Sequence, residues 1–396
     1  MRLIHTADWH FGRTLEGRSR HEEHAAFVDE LARIADETDA DAVLIAGDVY
    51  DSVNPPADAE KLFYEALKRL SKGGRRPVAA IAGNHDHPER LSAAAPLAVS
   101  LGVTLLGLPS TRLVTLDAPR TGERALLYAI PYPSESRLGE LLAEDADEAG
   151  LQRAYSERIG SLVREATSSR FGPKTINLIM SHLYALGGTA TDSERPIEVG
   201  GAYTVHPSAF GAEAQYVALG HLHRPQNVGG VPTDGRPLVR YSGSPLAFSF
   251  SEAGQAKSVT VLDLKPGGAP EMEEIPLSCG RPLTVWKAKE GLAQAYAWIE
   301  EGRDRRSWID LELHLTEAIG MDDIQRLRRA HEGIVHIRPV YRLEQESEMA
   351  APEAALPIDE LFRRFYAKQT GGAVPGDDLI RLFLELVGEE KEAERA

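Results

Sequence analysis

Apolar residues form two kinds of pattern along the first half of the chain. Short unbroken runs, such as AVLIA at 42–46 and VAAIA at 78–82, alternate with longer segments in which apolar residues recur every three or four positions. Unbroken runs of this length are typical of strands buried on both faces, and the longer spacing is typical of amphipathic helices. The alternation therefore predicts an α/β fold with a sheet that is covered on both faces.

The same pattern predicts the individual elements of this half. Strands are expected at residues 3–7, 42–46, 78–82, 103–107, 112–116, 124–130, 175–180 and 215–219. Helices are expected at residues 22–37, 57–71, 89–101 and 148–168. The apolar faces of the second and third helices, which include Leu62, Phe63 and Leu97, form either part of the core or a contact with a second copy of the chain.

The second half of the chain predicts two further structural regions. Strand, helix, strand, helix and strand are expected at residues 283–288, 291–300, 308–315, 321–330 and 334–341. Two short helices follow after residue 357, and their apolar stripes are larger than two such helices can bury between themselves, so they must dock on this chain or on another. The predicted domains are a first domain at 1–277, a small α/β domain at 278–343, a linker at 344–357 and a helical region at 358–396.

Length and composition limit the class of protein. A chain of 396 residues exceeds the size at which one hydrophobic core keeps growing, which favours a large domain with an appendage. The single cysteine, Cys279, excludes an intramolecular disulfide and a zinc site built from several cysteines. No stretch has the apolar length of a membrane span, and the first residues lack a signal-peptide core, so a cytoplasmic protein is expected.

The charge of the chain restricts how it could hold nucleic acid. There are 60 acidic and 44 basic residues, and the formal net charge is -16. Proteins that bind DNA through their own surface usually present a basic face to the phosphates. This chain would need help from divalent cations at a carboxylate-rich site or from a partner subunit.

Five predicted strands end in residues that bind metals or transfer protons. In open α/β sheets, ligands bind in the crevice outside the carboxyl ends of the strands. Oxygen and imidazole ligands suit manganese, iron or zinc, and seven of them suit two ions that share one carboxylate. A surface loop with an incidental Asp and His would explain one such motif, but not five in this order. The candidate metal ligands are Asp8, His10, Asp48, Asn84, His182, His221 and His223.

The order D-W-H, G-D, G-N-H-D, S-H and G-H-L-H resembles the calcineurin-like metallophosphoesterase superfamily. The stretches HTADWHFGRTLEGRSRHEEH, IAGDVYDSVNPP and IAGNHDHPERL resemble, more narrowly, the SbcD family of bacterial nuclease subunits. The resemblance implies a layered sheet core with a small α/β capping domain and a C-terminal helical tail. It also implies that the domain at 278–343 caps the active-site cleft and helps to position DNA; the alternative is a stabilising appendage without substrate contact.

The resemblance assigns roles to the candidate site residues. It implies that one metal is held by Asp8, His10, Asp48 and His223, and the other by Asp48, Asn84, His182 and His221. His85 is implied to protonate the leaving oxygen or to stabilise the transition state, with Asp86 as its orienting partner. An imidazole beside a metal-bound phosphate can donate a proton to an alkoxide, which agrees with that role.

The function implied is manganese-dependent hydrolysis of DNA, by exonuclease and endonuclease cleavage at ends and hairpins. The protein would serve in repair, recombination and replication as a nucleoid-associated homodimer. Its residues 358–396 would bind SbcC, a coiled-coil ATPase, and any ATP dependence must come from such a partner because the chain has no G-x-x-x-x-G-K-[ST] loop. Two alternatives are a phosphoesterase acting on nucleotides or phosphoproteins, and a non-enzymatic scaffold, which would not need all seven ligands.

Overall fold

The chain folds into two compact units, Met1–Arg281 and Pro282–Ala396. The computed structural model describes residues 1–140, 147–197, 203–230, 236–341, 357–370 and 372–393. Residues 344–356 of the predicted linker lie outside the described residues. Within the described residues, no helix has both the length and the apolar character that a membrane crossing requires.

The first unit contains a sheet of six strands, which we call the first sheet. Its spatial order is Glu271–Pro276, Ser258–Asp263, Arg2–Thr6, Ala42–Ile45, Val78–Ile81 and Val103–Leu106. The four strands from Arg2–Thr6 to Val103–Leu106 run parallel, and the other two run antiparallel to their neighbours. Apolar residues of helices His21–Glu37 and Ala57–Ser71 pack on one face of this sheet.

A second six-stranded sheet completes the core of this unit. Its order is Gln226–Asn227, Leu238–Tyr241, Tyr216–Gly220, Ile176–His182, Glu123–Ile130 and Leu113–Ala118. The four inner strands run parallel, and the two edge strands run antiparallel to their neighbours. Helix Glu148–Thr167 packs on one face through residues such as Ile159 and Val163.

The two sheets pack against each other through their remaining faces. Leu44 and Ile81 from the first sheet share one buried cluster with Leu178 and Ala218 from the second. The predicted layered α/β class is confirmed, and each sheet is covered on both faces, by helices on one face and by the other sheet on the other. An unbroken apolar run shows that a strand is buried on both faces, but it does not show whether a helix or another sheet covers each face.

Shorter elements connect these layers. Two pairs of two-residue strands occur. Thr14–Leu15 pairs with Arg18–Ser19, and Tyr184–Ala185 pairs with Thr204–Val205. A one-turn helix, Glu135–Leu138, follows the second-sheet strand Glu123–Ile130. Turns of 3-10 helix occur at Lys72–Gly74, Val99–Leu101, Pro207–Phe210 and Phe250–Glu252.

The helix predicted at residues 89–101 is broken in the structure. It consists of Pro88–Ser92, Ala95–Ala98 and a 3-10 turn, because Pro96 lacks the N–H that a continuous helix needs. Leu62 and Phe63 are buried in the core, whereas Leu97 is 79% exposed. The core interpretation therefore holds for the helix Ala57–Ser71, and the possible contact with a second copy is reduced to the segment around Leu97.

The second unit begins with three parallel strands, Leu283–Ala288, Trp308–Leu315 and Ile334–Tyr341, with Trp308–Leu315 in the centre. Helices Leu292–Glu300 and Met321–Ala330 contribute to its apolar core.

The same unit ends in the helices Ile358–Thr370 and Asp377–Ala393, where the Phe362 and Phe383 rings stack with centroids 4.0 Å apart. Phe365, Leu382 and Leu386 are more than half exposed. The stripes are thus only partly covered within the described residues.

Candidate metal centre

The carboxyl ends of the parallel strands bring the predicted site residues together. Potential ligand atoms of Asp8, His10 and His223 lie within 4.8 Å of one another, and so do those of Asp8, Asp48 and His182. Asn84 joins this group because its Oδ1 lies 2.8 Å from Nε2 of His182. The rings of His182 and His221 are 5.5 Å apart. All seven predicted ligands therefore surround one small region.

The loops that carry the ligands are held in uncommon backbone conformations. Asp8, His10 and Asp48 have φ values of 55°, 46° and 47°, in the left-handed region that residues with a side chain rarely adopt. Backbone bonds join the loops, since the N–H groups of Asp8 and His10 donate to the carbonyls of Gly47 and Asp48 at 3.0 Å each. Strain of this kind persists where surrounding contacts fix the chain, and it is common at functional sites.

Three glycines give the ligands space against the backbone. A Cβ added to Gly83 would lie 2.1 Å from Oδ1 of Asp48, and one added to Gly47 would lie 2.3 Å from Nδ1 of His182. At Gly220 an added Cβ would lie 1.9 Å from the carbonyl oxygen of Ala46. No real Cβ contact is that short, so these positions require glycine if the ligands are to keep their places.

The imidazole contacts fit a cation between the ligands. His182 donates from Nδ1 to the carbonyl of Ala46 at 2.9 Å, which directs its other nitrogen towards Asn84 and Asp48. The Nε2 atoms of His10 and His223 are 3.1 Å apart. Buried ligand atoms converge in both places, as they would around a shared positive ion.

The electrostatics of the centre also fit a cation between these side chains. Asp8 and Asp48 are buried, and burial raises the pKa of Asp8 well above its usual value. Burial alone would lower the pKa of His182, but the charges of Asp48 and Asp8 outweigh it and raise that pKa to about 9. His182 in turn holds the pKa of Asp48 well below its usual value, against the effect of burial. A proton on His182 thus partly offsets two buried carboxylates.

The remaining histidines supply neutral nitrogen. Burial lowers the pKa of His10 and His223, and it lowers that of His221 to about 3. In addition, Oδ2 of Asp8 is buried without a hydrogen-bond partner. Neutral imidazoles, buried carboxylates and an amide oxygen form a donor set that suits divalent cations.

His85 and Asp86 do not have the relationship that the sequence suggested. Nδ1 of His85 lies 2.8 Å from the backbone carbonyl of Asp51, so that carbonyl orients the ring. Asp86 is buried and accepts backbone N–H bonds from Gly83 at 2.8 Å, Val49 at 3.1 Å and Tyr50 at 2.9 Å. The expectation that Asp86 orients His85 is therefore wrong: the side chains of adjacent residues point apart, and the carboxylate instead joins the two loops that carry Asp48 and Asn84.

Comparison with known proteins identifies the family of this centre. The calcineurin-like phosphoesterase family matches residues 1–225, and the type 5 capsule protein repressor C-terminal domain matches residues 279–370. The SbcD subunit of the SbcCD nuclease of Bacillus subtilis (strain 168) is 50% identical over 395 residues, which cover 99% of this chain and 100% of that protein. This chain belongs to the SbcD family.

Other SbcD proteins are more distant. The SbcD protein of Rhodobacter capsulatus is 39% identical over 70% of this chain and 69% of that protein, and the SbcD protein of Escherichia coli K12 is 29% identical over 92% of each. A dimetal phosphatase from Danio rerio is a solved structure with a TM-score of 0.37 and 14% identity, covering 70% of this chain and 99% of that one. The predictions of a calcineurin-like fold and of a metal-dependent phosphodiester hydrolase are confirmed by the family.

Several residues of this SbcD centre were missed from the sequence. Arg137 donates to the backbone carbonyls of Gly83 at 2.8 Å and Asp86 at 2.6 Å, which fixes the loop that carries Asn84 and His85. Arg137 lies far along the chain from Gly83 and Asp86, so no local sequence motif identifies it. Asp51 could have been recognised as a further carboxylate three residues after Asp48, and its Oδ1 lies 3.4 Å from Nδ1 of His10.

Proposed function

We propose that this chain is the manganese-dependent DNA nuclease component of an SbcC–SbcD-type complex. It would cleave phosphodiester bonds as an exonuclease and an endonuclease, at DNA ends and hairpins, in repair, recombination and replication. The observation that carries the proposal is the meeting of seven potential ligands and His85 in one region at the carboxyl ends of the strands. The Bacillus subtilis relative is named as a subunit of the SbcCD nuclease, which supports both the nuclease activity and the complex.

The proposed ligand sets are those that the family resemblance implies, and they are supported by the proximity of Asp8, His10 and His223 in one set and of Asp48 and His182 in the other. Asp8, His10, Asp48 and His223 would hold one ion, and Asp48, Asn84, His182 and His221 the other. Two manganese ions would supply positive charge for the phosphate oxygens and lower the pKa of a water for in-line attack.

The other groups of the chain would orient and transfer protons. His85 donates from Nδ1 to the carbonyl of Asp51, which leaves Nε2 to hold the proton that the departing oxygen takes up. Asp86 keeps the two ligand loops in register through its three backbone hydrogen bonds. Arg137 supports the loop that carries Asn84 and His85 through its bonds to the carbonyls of Gly83 and Asp86. These groups pre-organise the centre before substrate arrives.

A net charge of -16 disfavours tight DNA binding by this chain alone, so partners would supply the affinity for DNA. Residues 358–396 are proposed to bind an SbcC-like ATPase, because Phe365, Leu382 and Leu386 leave apolar surface exposed. A homodimer would use the exposed segment around Leu97 and Val99.

Residues 278–343 would form the domain that helps to position DNA. The complex would act at the nucleoid.

The test is a nuclease assay of the full chain on end-labelled duplex and hairpin DNA, with manganese or with EDTA, and with or without a copurifying ATPase. We expect weak manganese-dependent cleavage alone, strong cleavage with the ATPase and ATP, and none in Asp48→Ala. Deletion of residues 358–396 should abolish the ATPase effect and keep the weak cleavage. Hydrolysis of a cyclic nucleotide or a phosphopeptide, with DNA left intact, would overturn the proposal in favour of a different phosphoesterase.

A further inference from the structure

A short loop, residues 191–194, contacts His223 in two places. Oγ of Ser193 lies 2.5 Å from Nδ1 of the imidazole, and Oε1 of Glu194 accepts a hydrogen bond from the backbone N–H of His223 at 2.7 Å. Ser193 is buried. The ring and the backbone of this one histidine are therefore both held by the same loop.

Thr191 closes these contacts into a continuous chain of hydrogen bonds. Its Oγ1 lies 2.9 Å from Oγ of Ser193 and 2.6 Å from Oε2 of Glu194. The backbone N–H of Thr191 also donates to Oε2, at 2.8 Å. We call the series of groups from Glu194 through Thr191 and Ser193 to the ring of His223 the Glu194 relay.

The direction of each bond in the relay follows from counting protons. A carboxylate only accepts, so the hydroxyl of Thr191 must donate its single proton to Glu194. Ser193 must then donate its own proton to Thr191, because Thr191 has none left. Ser193 can therefore only accept from His223, which places the imidazole proton on Nδ1. The other nitrogen, Nε2, keeps its lone pair, and it is this atom that lies 3.1 Å from Nε2 of His10.

The loop is also anchored to other parts of the centre. Arg13, three residues after His10, donates from Nη2 to the carbonyl of Ser193 at 3.1 Å. The backbone N–H of Asp192 donates to Oγ of Ser251 at 3.3 Å. These bonds hold the hydroxyl groups in place without involving their protons. The bonds from Arg13 and to Ser251 therefore hold the loop in position, and the hydrogen bonds of the relay set which atoms carry the protons.

We propose that the Glu194 relay fixes His223 in the tautomer that binds a metal, so that Thr191, Ser193 and Glu194 are positioning residues for this ligand. The inference rests on the proposed function, in which His223 holds one of the two ions. Groups that orient a ligating histidine typically contribute about 10- to 100-fold in metal affinity. The relay would extend that effect across two hydroxyl groups to the carboxylate of Glu194.

Matched variants separate the relay from simple packing. Thr191→Val keeps the shape but removes the hydroxyl, whereas Thr191→Ser keeps the hydroxyl. Glu194→Gln leaves an amide NH₂ opposite a backbone N–H whichever way it turns, because both carboxylate oxygens accept from the backbone. Asp192→Asn removes the same charge from the exposed neighbour in the loop and serves as its control.

Calorimetric titration of each full-length variant with Mn²⁺ is the first measurement. We expect about 10- to 100-fold weaker binding of one ion in Thr191→Val and Glu194→Gln, and unchanged binding in Thr191→Ser and Asp192→Asn. Equal affinities in Thr191→Val and Thr191→Ser would overturn the relay. His223→Ala separates a failure of the relay from a failure of the proposed function. If this variant still binds both ions at full affinity, His223 is not a metal ligand.

A second measurement needs no metal. Nitrogen chemical shifts of selectively ¹⁵N-labelled histidine in the metal-free chain report which ring nitrogen carries the proton, and His223→Ala identifies the signal. We expect Nδ1–H in the wild type and in Thr191→Ser, and a mixture of tautomers in Thr191→Val. A wild-type His223 protonated at Nε2 alone would overturn the proposal.

Discussion

The clearest test of how the centre is built is the replacement of Asp86. Its carboxylate is 0% exposed and accepts three backbone N–H bonds, from Gly83, Val49 and Tyr50. A buried N–H that loses its partner costs about 1–3 kcal/mol. Asp86→Ala removes both acceptor oxygens and with them all three bonds, so the expected loss is about 3–9 kcal/mol, against about 5–15 kcal/mol of stability for a typical domain.

Asp86→Asn gives a graded result. The amide oxygen can replace Oδ2, which accepts from Gly83 and Val49, but the NH₂ group then faces the N–H of Tyr50. One lost bond predicts a cost of about 1–3 kcal/mol. Val49 follows Asp48 and Gly83 precedes Asn84, so loss of these bonds should also displace two candidate ligands. Manganese affinity and nuclease activity should therefore fall together with stability, from the wild type through Asp86→Asn to Asp86→Ala.

Urea unfolding in EDTA, followed by circular dichroism, measures the stabilities. Glu89→Gln is the matched control, because this nearby carboxylate is 67% exposed and its loss should change stability by less than about 0.5 kcal/mol. If Asp86→Asn keeps full stability but loses activity, the carboxylate acts in the chemistry and not as a link between loops. If it keeps both, the bond from Tyr50 contributes nothing to stability or activity.

Three further outcomes are expected. His85→Ala should keep manganese binding, measured by calorimetry, yet lose about 100- to 10,000-fold in DNA turnover, and near-normal turnover would remove His85 from the mechanism. The nearby carboxylates raise the pKa of His182 to about 9, so manganese should displace a proton from it when it binds near neutral pH. Manganese should therefore bind more tightly as the pH rises towards 9. Calorimetry in two buffers of different ionisation enthalpy counts the released proton. Phe362→Glu combined with Phe383→Glu should weaken ATPase docking by about 2 kcal/mol or more in a copurification or binding assay, whereas undiminished docking would show that the partner binds elsewhere.

The sequence identified the candidate ligands more readily than the groups that hold them in place. Each candidate lies at or just after the end of a short apolar run, so the local pattern already places it near a strand end, as at Asp48 and His182. The relay residues Thr191 and Ser193 lie in a loop without periodic pattern. Their partner His223 is 30 positions away from Ser193, and nothing local connects the two.

Other differences have equally local causes. The pairing of His85 with Asp86 relied on adjacency, but the chain bends at these residues, so that His85 bonds to Asp51 while the Asp86 carboxylate bonds to backbone N–H groups. Apolar spacing over residues 89–101 predicted one helix, and Pro96 overrode it. The strands Leu238–Tyr241, Ser258–Asp263 and Glu271–Pro276 were not predicted, and the last has a mostly exposed, charged sequence that hides its place at a sheet edge.

The pairing of Arg2–Thr6 with Ser258–Asp263 has a consequence for the way the protein is made. Arg2 and Asp263, which meet in this pairing and in an ion pair, are 261 positions apart. During synthesis the strand made early has one edge open until the ribosome has released the late one. An open edge of that kind is a template for pairing with other chains. At about 5–20 residues per second, the exposure lasts on the order of ten seconds or more, and it is then that a chaperone would protect this protein most.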